Sequence, residues 1–228
     1  MTPKVTLQRY VDEFRKWRTD NYSETEVLEN QTDDVSFPDW INIQDFFTEL
    51  LQFGPISNLD RDAKINLLYL TARGWDCGGL LYDSEKMPIS SCGDLSEHDF
   101  IDLAKVALTV DGPEYRDAKW LIAYCFGKLS NLSLEIENIL LTFYNEEDEY
   151  IKRMALFSLA KLSYPGLKVI IKKSWEIDDE WHKIGCLSVL DKYVADKNLL
   201  ETYLREIEDD QRPDLREYVL ALKNKNNC

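Results

Sequence analysis

The chain has 228 residues, of which 44% are hydrophobic and 12% aromatic, so it can bury a sizeable core and is not wholly disordered. Its 42 acidic and 27 basic residues give a formal net charge of −15, which disfavours binding to nucleic-acid phosphates and anionic membrane surfaces. The sequence contains no run of about 18 apolar residues, so no membrane-spanning helix is expected.

The first predicted element is an amphipathic helix over residues 4–19, where apolar residues recur at spacings of three and four. An acidic, polar stretch follows over about residues 20–37, and its few apolar residues predict a loop or a mobile linker. We therefore assign residues 1–37 to an N-terminal helix and an acidic linker.

From Pro38 onward, apolar residues at helical spacing predict a series of helices joined in pairs. Pro38 opens the first helix, and Asp60 or Asp62 starts its partner. The later pairs are predicted over residues 95–110 with 114–129, 133–145 with 149–163, 166–177 with 180–194, and 197–208 with 213–224. Ser96 and Asp99 have the spacing of a capping box at the start of one of these helices.

Residues 74–94 interrupt the helical pattern with glycines and a proline, and we interpret them as an insertion. Insertions in repeat proteins map to loops on one face, which is often the binding face. Trp75 and Tyr82 offer apolar contact in this segment, and we predict that both contact a partner. The alternative is a lid that covers the first pair of helices.

The sequence Arg-Asp-Ala-Lys occurs twice, at residues 61–64 and 116–119. Basic residues then recur at regular intervals. They are Lys119, Lys152, Lys183 and Arg216, at spacings of 33, 31 and 33 residues. A fixed period in this range is typical of stacked helical hairpins.

These segments resemble the HEAT-repeat family and the related armadillo-like solenoids. That family has an acidic residue in the turn within each hairpin and a basic residue about six positions later. Two turns match this interval, and two are one residue short. The matching pairs are Glu146–Lys152 and Asp210–Arg216, and the shorter ones are Asp178–Lys183 and Glu114–Lys119.

The resemblance covers about residues 38–224 and implies an all-α fold. The implied architecture is a right-handed superhelical stack of about five HEAT-like hairpins plus the N-terminal helix. Residues 38–228 then form the solenoid, with the insertion at 74–94. The resemblance also implies that the recurring Lys and Arg residues pair with the acidic residues of the turns.

Acidic residues gather in the turns of the later hairpins. The predicted partner-binding carboxylates are Glu146, Glu147, Asp148, Glu149, Asp178, Asp179, Glu180, Asp209 and Asp210. Stacked hairpins lie about 10 Å apart, so these turns are expected to line up as an acidic ridge along one edge. Carboxylates also cap helix N-termini and pair with nearby cations, so a merely solvated ridge is the alternative to a basic protein partner.

Aromatic residues flank the acidic turns. Tyr150 and Trp181 lie at the starts of two second helices, directly after carboxylates. Exposed aromatic side chains beside charges are good interface anchors, and we predict that both residues contact the partner. The alternative is that they staple the helix starts by apolar packing.

No motif assembles the residues that catalysis would need. His98 and His182 are the only histidines, and neither lies near a nucleophile motif such as G-x-S-x-G. Phosphate-binding glycine motifs are missing from the sequence, and Cys77, Cys92 and His98 lack the paired spacing of a zinc site. We therefore predict no catalytic residue, no cofactor and no metal.

The chain has five cysteines, which is an odd number, so they cannot all pair with one another. Its N-terminus lacks the apolar run of a secretory signal. This combination predicts reduced thiols and a cytoplasmic protein. Cys125 and Cys186 lie in apolar helical patterns, where we expect them to pack as small core residues.

Together these observations predict a non-enzymatic protein-binding module with a basic protein partner. A small, strongly acidic solenoid of this kind resembles bacterial immunity proteins, which neutralise a co-encoded toxin such as a cationic nuclease. We expect the protein to be a monomer on its own, and the net charge of −15 predicts that it binds neither nucleic acid nor membrane. Two alternatives are a general scaffold or adaptor and a HEAT-like nucleic-acid repair enzyme, which the charge disfavours.

Overall fold

A computed structural model of the chain describes residues 2–28, 31–74, 95–194 and 196–226. Every regular element in these ranges is helical and none is a strand, so the all-α prediction is confirmed. The chain divides into two compact units, Met1–Phe126 and Gly127–Cys228. The predicted insertion, with Trp75 and Tyr82, lies outside the described residues apart from Gly74.

Among the described helices of unit 1, those that begin at Arg61 and Glu97 have side-chain caps. The described helices of this unit are α1 (Pro3–Asn21), α2 (Glu24–Leu28), α3 (Trp40–Phe53), α4 (Arg61–Arg73), α5 (Glu97–Ala107) and α6 (Arg116–Phe126), with 3-10 helices at Asp34–Ser36, Ile56–Asn58 and Pro113–Tyr115. The Asp60 side chain accepts a hydrogen bond from the backbone N–H of Ala63 at the start of α4. Ser96 and Asp99 form the predicted capping box at the start of α5.

The core of unit 1 contains an aromatic cluster around Phe14. Phe14 is fully buried, and its ring centroid lies 5.0 Å from that of Phe37, 5.3 Å from Trp40 and 6.1 Å from Tyr69. Tilted and edge-to-face ring pairs add about 0.5–1.5 kcal/mol each beyond the burial of their area. Because these rings come from α1, α3, α4 and the segment before α3, the cluster ties together elements that are distant in sequence.

A buried ion-pair cluster holds the segment between α1 and α3. Asp34 Oδ1 lies 3.2 Å from Arg18 Nε, and Asp34 Oδ2 lies 3.3 Å from Arg73 Nη1. The Thr32 hydroxyl donates a hydrogen bond of 2.6 Å to Asp34 Oδ1. The sequence predicted a loop or a mobile linker over about residues 20–37. The structure corrects this prediction, because the segment contains α2 and a 3-10 helix and Asp34 joins it to α1 and α4.

The final lysines of the two Arg-Asp-Ala-Lys copies are buried. Lys64 Nζ lies 2.7 Å from Asp102 Oδ2 on α5 and donates a hydrogen bond of 3.2 Å to the Ser57 carbonyl. Hydrogen bonding by Lys64 lowers the pKa of the Asp102 carboxyl. Lys119 occupies the same place in the second copy and is also buried. At Lys64 the repeated residue is therefore structural, since it links α4 to α5.

The described helices of unit 2 agree with the predicted pairs to within a few residues. They are α7 (Leu134–Tyr144), α8 (Glu149–Lys161), α9 (Leu167–Glu176), α10 (Glu180–Tyr193), α11 (Lys197–Glu206) and α12 (Pro213–Asn226). Each of α7, α8, α10 and α11 begins with a side-chain cap, and the capping residues are Ser133, Asp148, Asp179 and Asp196. Ser, Asp and Asn are the residues that cap helices best, which is why the starts could be read from the sequence.

Helix α10 is at the centre of unit 2. It packs against α8, α9, α11 and α12, and α7 packs against α8. Apolar residues therefore occur on several faces of α10 rather than along one stripe. The fully buried ones are Cys186, Leu187 and Val189, with Leu190 almost as buried.

The two described cysteines differ in state. Cys186 is a free thiol in the core of unit 2, and burial raises its pKa to about 12. Cys125 is disulfide-bonded. The expectation of reduced thiols is therefore wrong at Cys125, although both residues lie in buried helical positions as predicted.

The described helices differ from membrane-spanning helices in length or in apolar character. None of them combines enough length with enough apolar character to span a membrane.

We predict that Asp34→Asn lowers the free energy of unfolding by about 3 kcal/mol or more, because it removes the carboxylate between two buried arginines. Urea unfolding followed by circular dichroism measures the loss. The matched control is Asp20→Asn, which removes an exposed partner of Lys16. That change is expected to cost less than about 1 kcal/mol. Similar losses in the two variants would contradict the structural role of Asp34.

Candidate functional site

The turns before α8, α10 and α12 lie next to one another at one edge of unit 2. We call residues 145–149, 177–181 and 207–212 the acidic edge, and they contain all nine predicted partner-binding carboxylates. Helices α10 and α12 run parallel from this edge, because Lys225 Nζ lies 2.8 Å from Asp191 Oδ2 near their other ends. The carboxylates of these turns are therefore gathered on one side of unit 2.

Two contacts join the second and third turns of the acidic edge. Arg212 Nη1 lies 3.2 Å from Asp178 Oδ1. The backbone N–H of Leu215, in the first turn of α12, donates a hydrogen bond of 2.8 Å to Glu180 Oε1. Backbone N–H groups in the first turn of a helix lack partners within that helix. Glu180 therefore caps α12 from the neighbouring helix.

Arg153 joins the first and second turns. Its guanidinium lies over the Tyr150 ring at 4.8 Å and over the Trp181 ring at 5.2 Å from the ring centroids. Arg153 Nε lies 2.7 Å from Glu149 Oε1, and Arg153 Nη2 donates a hydrogen bond of 3.4 Å to Glu149 Oε2, so the two side chains form a close ion pair. Burial raises the pKa of the Glu149 carboxyl, and the charge of Arg153 opposes that shift.

Gly185 makes room for Arg153. A Cβ atom at Gly185 would lie 3.1 Å from both Cγ and Cδ of Arg153, which is tighter than ordinary packing. A side chain at this position of α10 would therefore press on the arginine stem. The sequence shows a glycine at this position, but it does not show that the Arg153 side chain fills the space next to it.

Two further predicted contact residues cap the helices that they precede. Asp148 Oδ1 accepts a hydrogen bond of 3.0 Å from the backbone N–H of Ile151, and Asp179 Oδ1 accepts one of 2.9 Å from that of His182. Such caps are each worth about 0.5–2 kcal/mol. These carboxylates are used in folding, as the alternative reading of the acidic ridge expected.

The predicted pairing of turn carboxylates with recurring cations holds in one turn and fails in two. Asp178 Oδ1 lies 3.2 Å from Lys183 Nζ, and this hydrogen bond lowers the pKa of Asp178. Asp210 pairs with Arg212 instead of Arg216, and hydrogen bonding by Arg212 lowers its pKa to about 2. Lys152 makes no ion pair with any described residue.

Asp210 pairs with Arg212 because the two are only two positions apart in the chain. Arg216 lies about one helical turn further on, in α12. The Arg212 Nε atom donates a hydrogen bond of 2.9 Å to Asp210 Oδ1, and Nη2 contacts Oδ2. Arg216 instead lies 3.4 Å from the side-chain oxygen of Gln211. A two-pronged guanidinium–carboxylate contact of this kind is stronger than a single one.

Four carboxylates of the acidic edge remain largely open to solvent, and one of them, Glu208, is not among the predicted contact residues. Glu147 and Asp209 are exposed, and the Asp178 side chain is 85% exposed despite its two cationic neighbours. Trp181 is 42% exposed beside them, and Tyr150 is half-buried. Glu146 is half-buried as well. Trp75 and Tyr82 lie outside the described residues, so the structure brings together the other eleven predicted contact residues.

The two histidines lie in different surroundings. His98 is exposed in the first turn of α5, whereas His182 is buried in α10. Burial lowers the pKa of His182, the charges of Lys152 and Arg153 lower it further, and Asp179 opposes them. Among the residues that the structure describes, no group of three or more His, Cys, Asp or Glu side chains is placed to hold a metal ion.

Comparison of the chain with protein-family models, curated proteins and solved structures finds no match. Its function is therefore argued from the acidic edge itself.

We predict that His182 makes folding less favourable as the pH falls from about 7.5 to 5.5. The unfolded chain binds a proton on this side chain near its ordinary pKa of about 6.5, and the folded chain binds it only at lower pH. Unfolding therefore takes up a proton in this range, which costs the wild type up to about 1.4 kcal/mol. Urea midpoints at both pH values measure the loss.

The variant His182→Gln is expected to lose less stability over this pH range than the wild type. His98→Gln removes an exposed histidine and is the matched control, so it should behave as the wild type does. An equal pH-dependent loss in His182→Gln and the wild type would show that the buried histidine contributes nothing.

Proposed function

We propose that this chain is a non-enzymatic protein-binding module whose acidic edge binds a basic protein. The observation that supports this proposal is the juxtaposition of three turns, each of which keeps an exposed carboxylate. These are Glu147, Asp178 and Asp209. Like charges that are brought together in this way repel one another, and a cationic partner relieves that repulsion.

The proposed contact set is smaller than the nine carboxylates that the sequence indicates. Asp148, Asp179 and Glu180 cap helices, while Glu149 and Asp210 have arginine partners within unit 2. A partner that recruited these groups would have to break contacts that stabilise the fold. Glu147 and Asp209 are exposed and open to a partner without that cost. Asp178 is 85% exposed, but it would share its carboxylate between the partner and the Lys183 and Arg212 side chains that it already contacts.

Binding would proceed in two stages. The net charge of −15 attracts a basic protein over long range, and this raises the rate of encounter at low ionic strength. Short-range contact then buries the exposed part of Trp181 and fixes the orientation of the partner. Salt would screen the first stage much more than the second, because the Debye length at physiological ionic strength is only about 8 Å.

The proposed biological role is that of an immunity or inhibitor protein that neutralises a basic toxin, such as a nuclease. The proposed architecture is a right-handed stack of about five HEAT-like hairpins. The packing of α8 against α10 and of α10 against α12 supports this arrangement within unit 2. A cytoplasmic location stays a prediction, and the disulfide at Cys125 counts against it because disulfides are rare in the cytosol.

We predict that the edge variant Glu147→Lys/Asp178→Asn/Asp209→Lys binds an oligolysine peptide of about ten residues roughly tenfold more weakly than the wild type. This estimate assumes three exposed ion pairs, each worth about 0.5 kcal/mol. Isothermal titration calorimetry at low salt measures the affinity. Circular dichroism checks that the variant is folded.

The matched control variant is Glu49→Lys/Asp45→Asn/Glu201→Lys. Its substitutions change the net charge by the same amount at exposed residues outside the acidic edge. It should weaken binding less than the edge variant does. Equal weakening would show that only the overall charge matters, and the proposed site would then be wrong.

The immunity role has a more specific test. The protein encoded by the adjacent reading frame should be basic, bind this chain in a one-to-one complex and lose its toxic activity in that complex. Several partners of moderate affinity, without inhibition of any of them, would instead favour the scaffold or adaptor alternative. Binding of duplex DNA with cleavage of a damaged base would favour the repair enzyme.

A further inference from the structure

Trp181 combines exposure with a fixed position. Its side chain is 42% exposed, yet one face of the indole is covered by the guanidinium of Arg153. Large exposed aromatic side chains are costly to keep in water, and the exposed 42% of Trp181 is the part that a partner can cover. The residue therefore offers an open aromatic surface in the middle turn of the acidic edge.

Arg153 holds this surface in place through several contacts. Glu149 neutralises the guanidinium at 2.7 Å, the Tyr150 ring also contacts the guanidinium, and the absence of a side chain at Gly185 leaves room for the arginine stem. The Arg153 side chain is only 14% exposed, so this stack is largely shielded from water. An aromatic side chain that is already ordered loses little entropy when a partner contacts it.

We propose that the open face of Trp181 receives an arginine side chain of the basic partner, with Arg153 acting as a positioning residue. This inference rests on the proposed function, and it specifies the chemistry of the contact. The carboxylate of Asp178, three residues before Trp181, and that of Glu147, in the adjacent turn, attract a cation to this place. An uncharged partner side chain would gain nothing from these two carboxylates.

Arginine fits this surface better than lysine. A guanidinium is planar and weakly hydrated, so it stacks on an indole ring and still donates hydrogen bonds in its plane to a carboxylate. An ammonium group is compact and strongly hydrated and makes only a point contact. The partner segment that docks on the acidic edge is therefore expected to contact Trp181 through an arginine side chain.

The test compares two peptides of eight residues, one of arginine and one of lysine, by isothermal titration calorimetry. The measured quantity is the ratio of the lysine-peptide Kd to the arginine-peptide Kd. In Trp181→Leu this ratio is expected to fall by about two- to fivefold relative to the wild type. In Trp181→Tyr, which keeps an aromatic ring, the ratio should stay close to its wild-type value.

Tyr193→Leu is the matched control. Tyr193 has the same 42% exposure and lies on the same helix, about 18 Å away at the other end. Its replacement should leave the ratio unchanged. Arg153→Lys keeps the charge but loses the flat stack beneath Trp181, so it should lower the ratio while circular dichroism shows a folded protein.

The outcomes separate this inference from the proposed function. An unchanged ratio in Trp181→Leu, together with weak binding of both peptides by the edge variant, would overturn the arginine contact and leave the acidic edge intact. Equal binding of both peptides by the edge variant and the control variant would overturn the proposed site and this inference with it. A ratio that falls in Trp181→Leu and persists in Tyr193→Leu supports the inference.

Discussion

The organisation of unit 2 depends on one requirement of helix chemistry. The first backbone N–H groups of a helix need acceptors, and a carboxylate supplies one while its charge also interacts favourably with the helix dipole. Asp148 and Asp179 meet this requirement for α8 and α10, and Glu180 meets it for α12. Because these helices pack side by side and begin at the same edge, their caps collect there. The negative charge of the edge is thus partly a consequence of folding.

The carboxylates of the acidic edge that do not cap a helix are the ones that bear on function. Arginines within unit 2 neutralise much of this negative charge. Arg153 pairs with Glu149, and Arg212 contacts both Asp178 and Asp210. The same arginines also order the surface, because Arg153 fixes Trp181 and Arg212 connects two turns. The result is a surface with few open carboxylates around one rigid aromatic side chain. Such a surface suits recognition of a particular cationic group better than diffuse attraction of any positive charge.

Local patterns in the sequence were enough to predict the helices and several of their caps. Apolar spacing and Asp or Ser residues at the helix starts gave the pairs of unit 2, the capping box at Ser96, and the pair of Asp178 with Lys183. Contacts between distant residues were not predictable in this way. The links of Asp34 to Arg18 and Arg73, and of Arg153 to Trp181, depend on packing angles between helices that a periodicity does not contain. The choice of Arg212 over Arg216 depends on the path of the third turn.

We propose that the acidic edge, with Trp181 at its middle, is the surface that meets a basic partner. Two-dimensional NMR of the ¹⁵N-labelled protein during titration with the arginine peptide tests this claim most directly. If the acidic edge binds the peptide, the largest shift changes fall on the Trp181 indole N–H and on the backbone amides of residues 145–149, 177–181 and 207–212. Changes concentrated on α3 or α9, or spread evenly over the acidic residues of the chain, would contradict it.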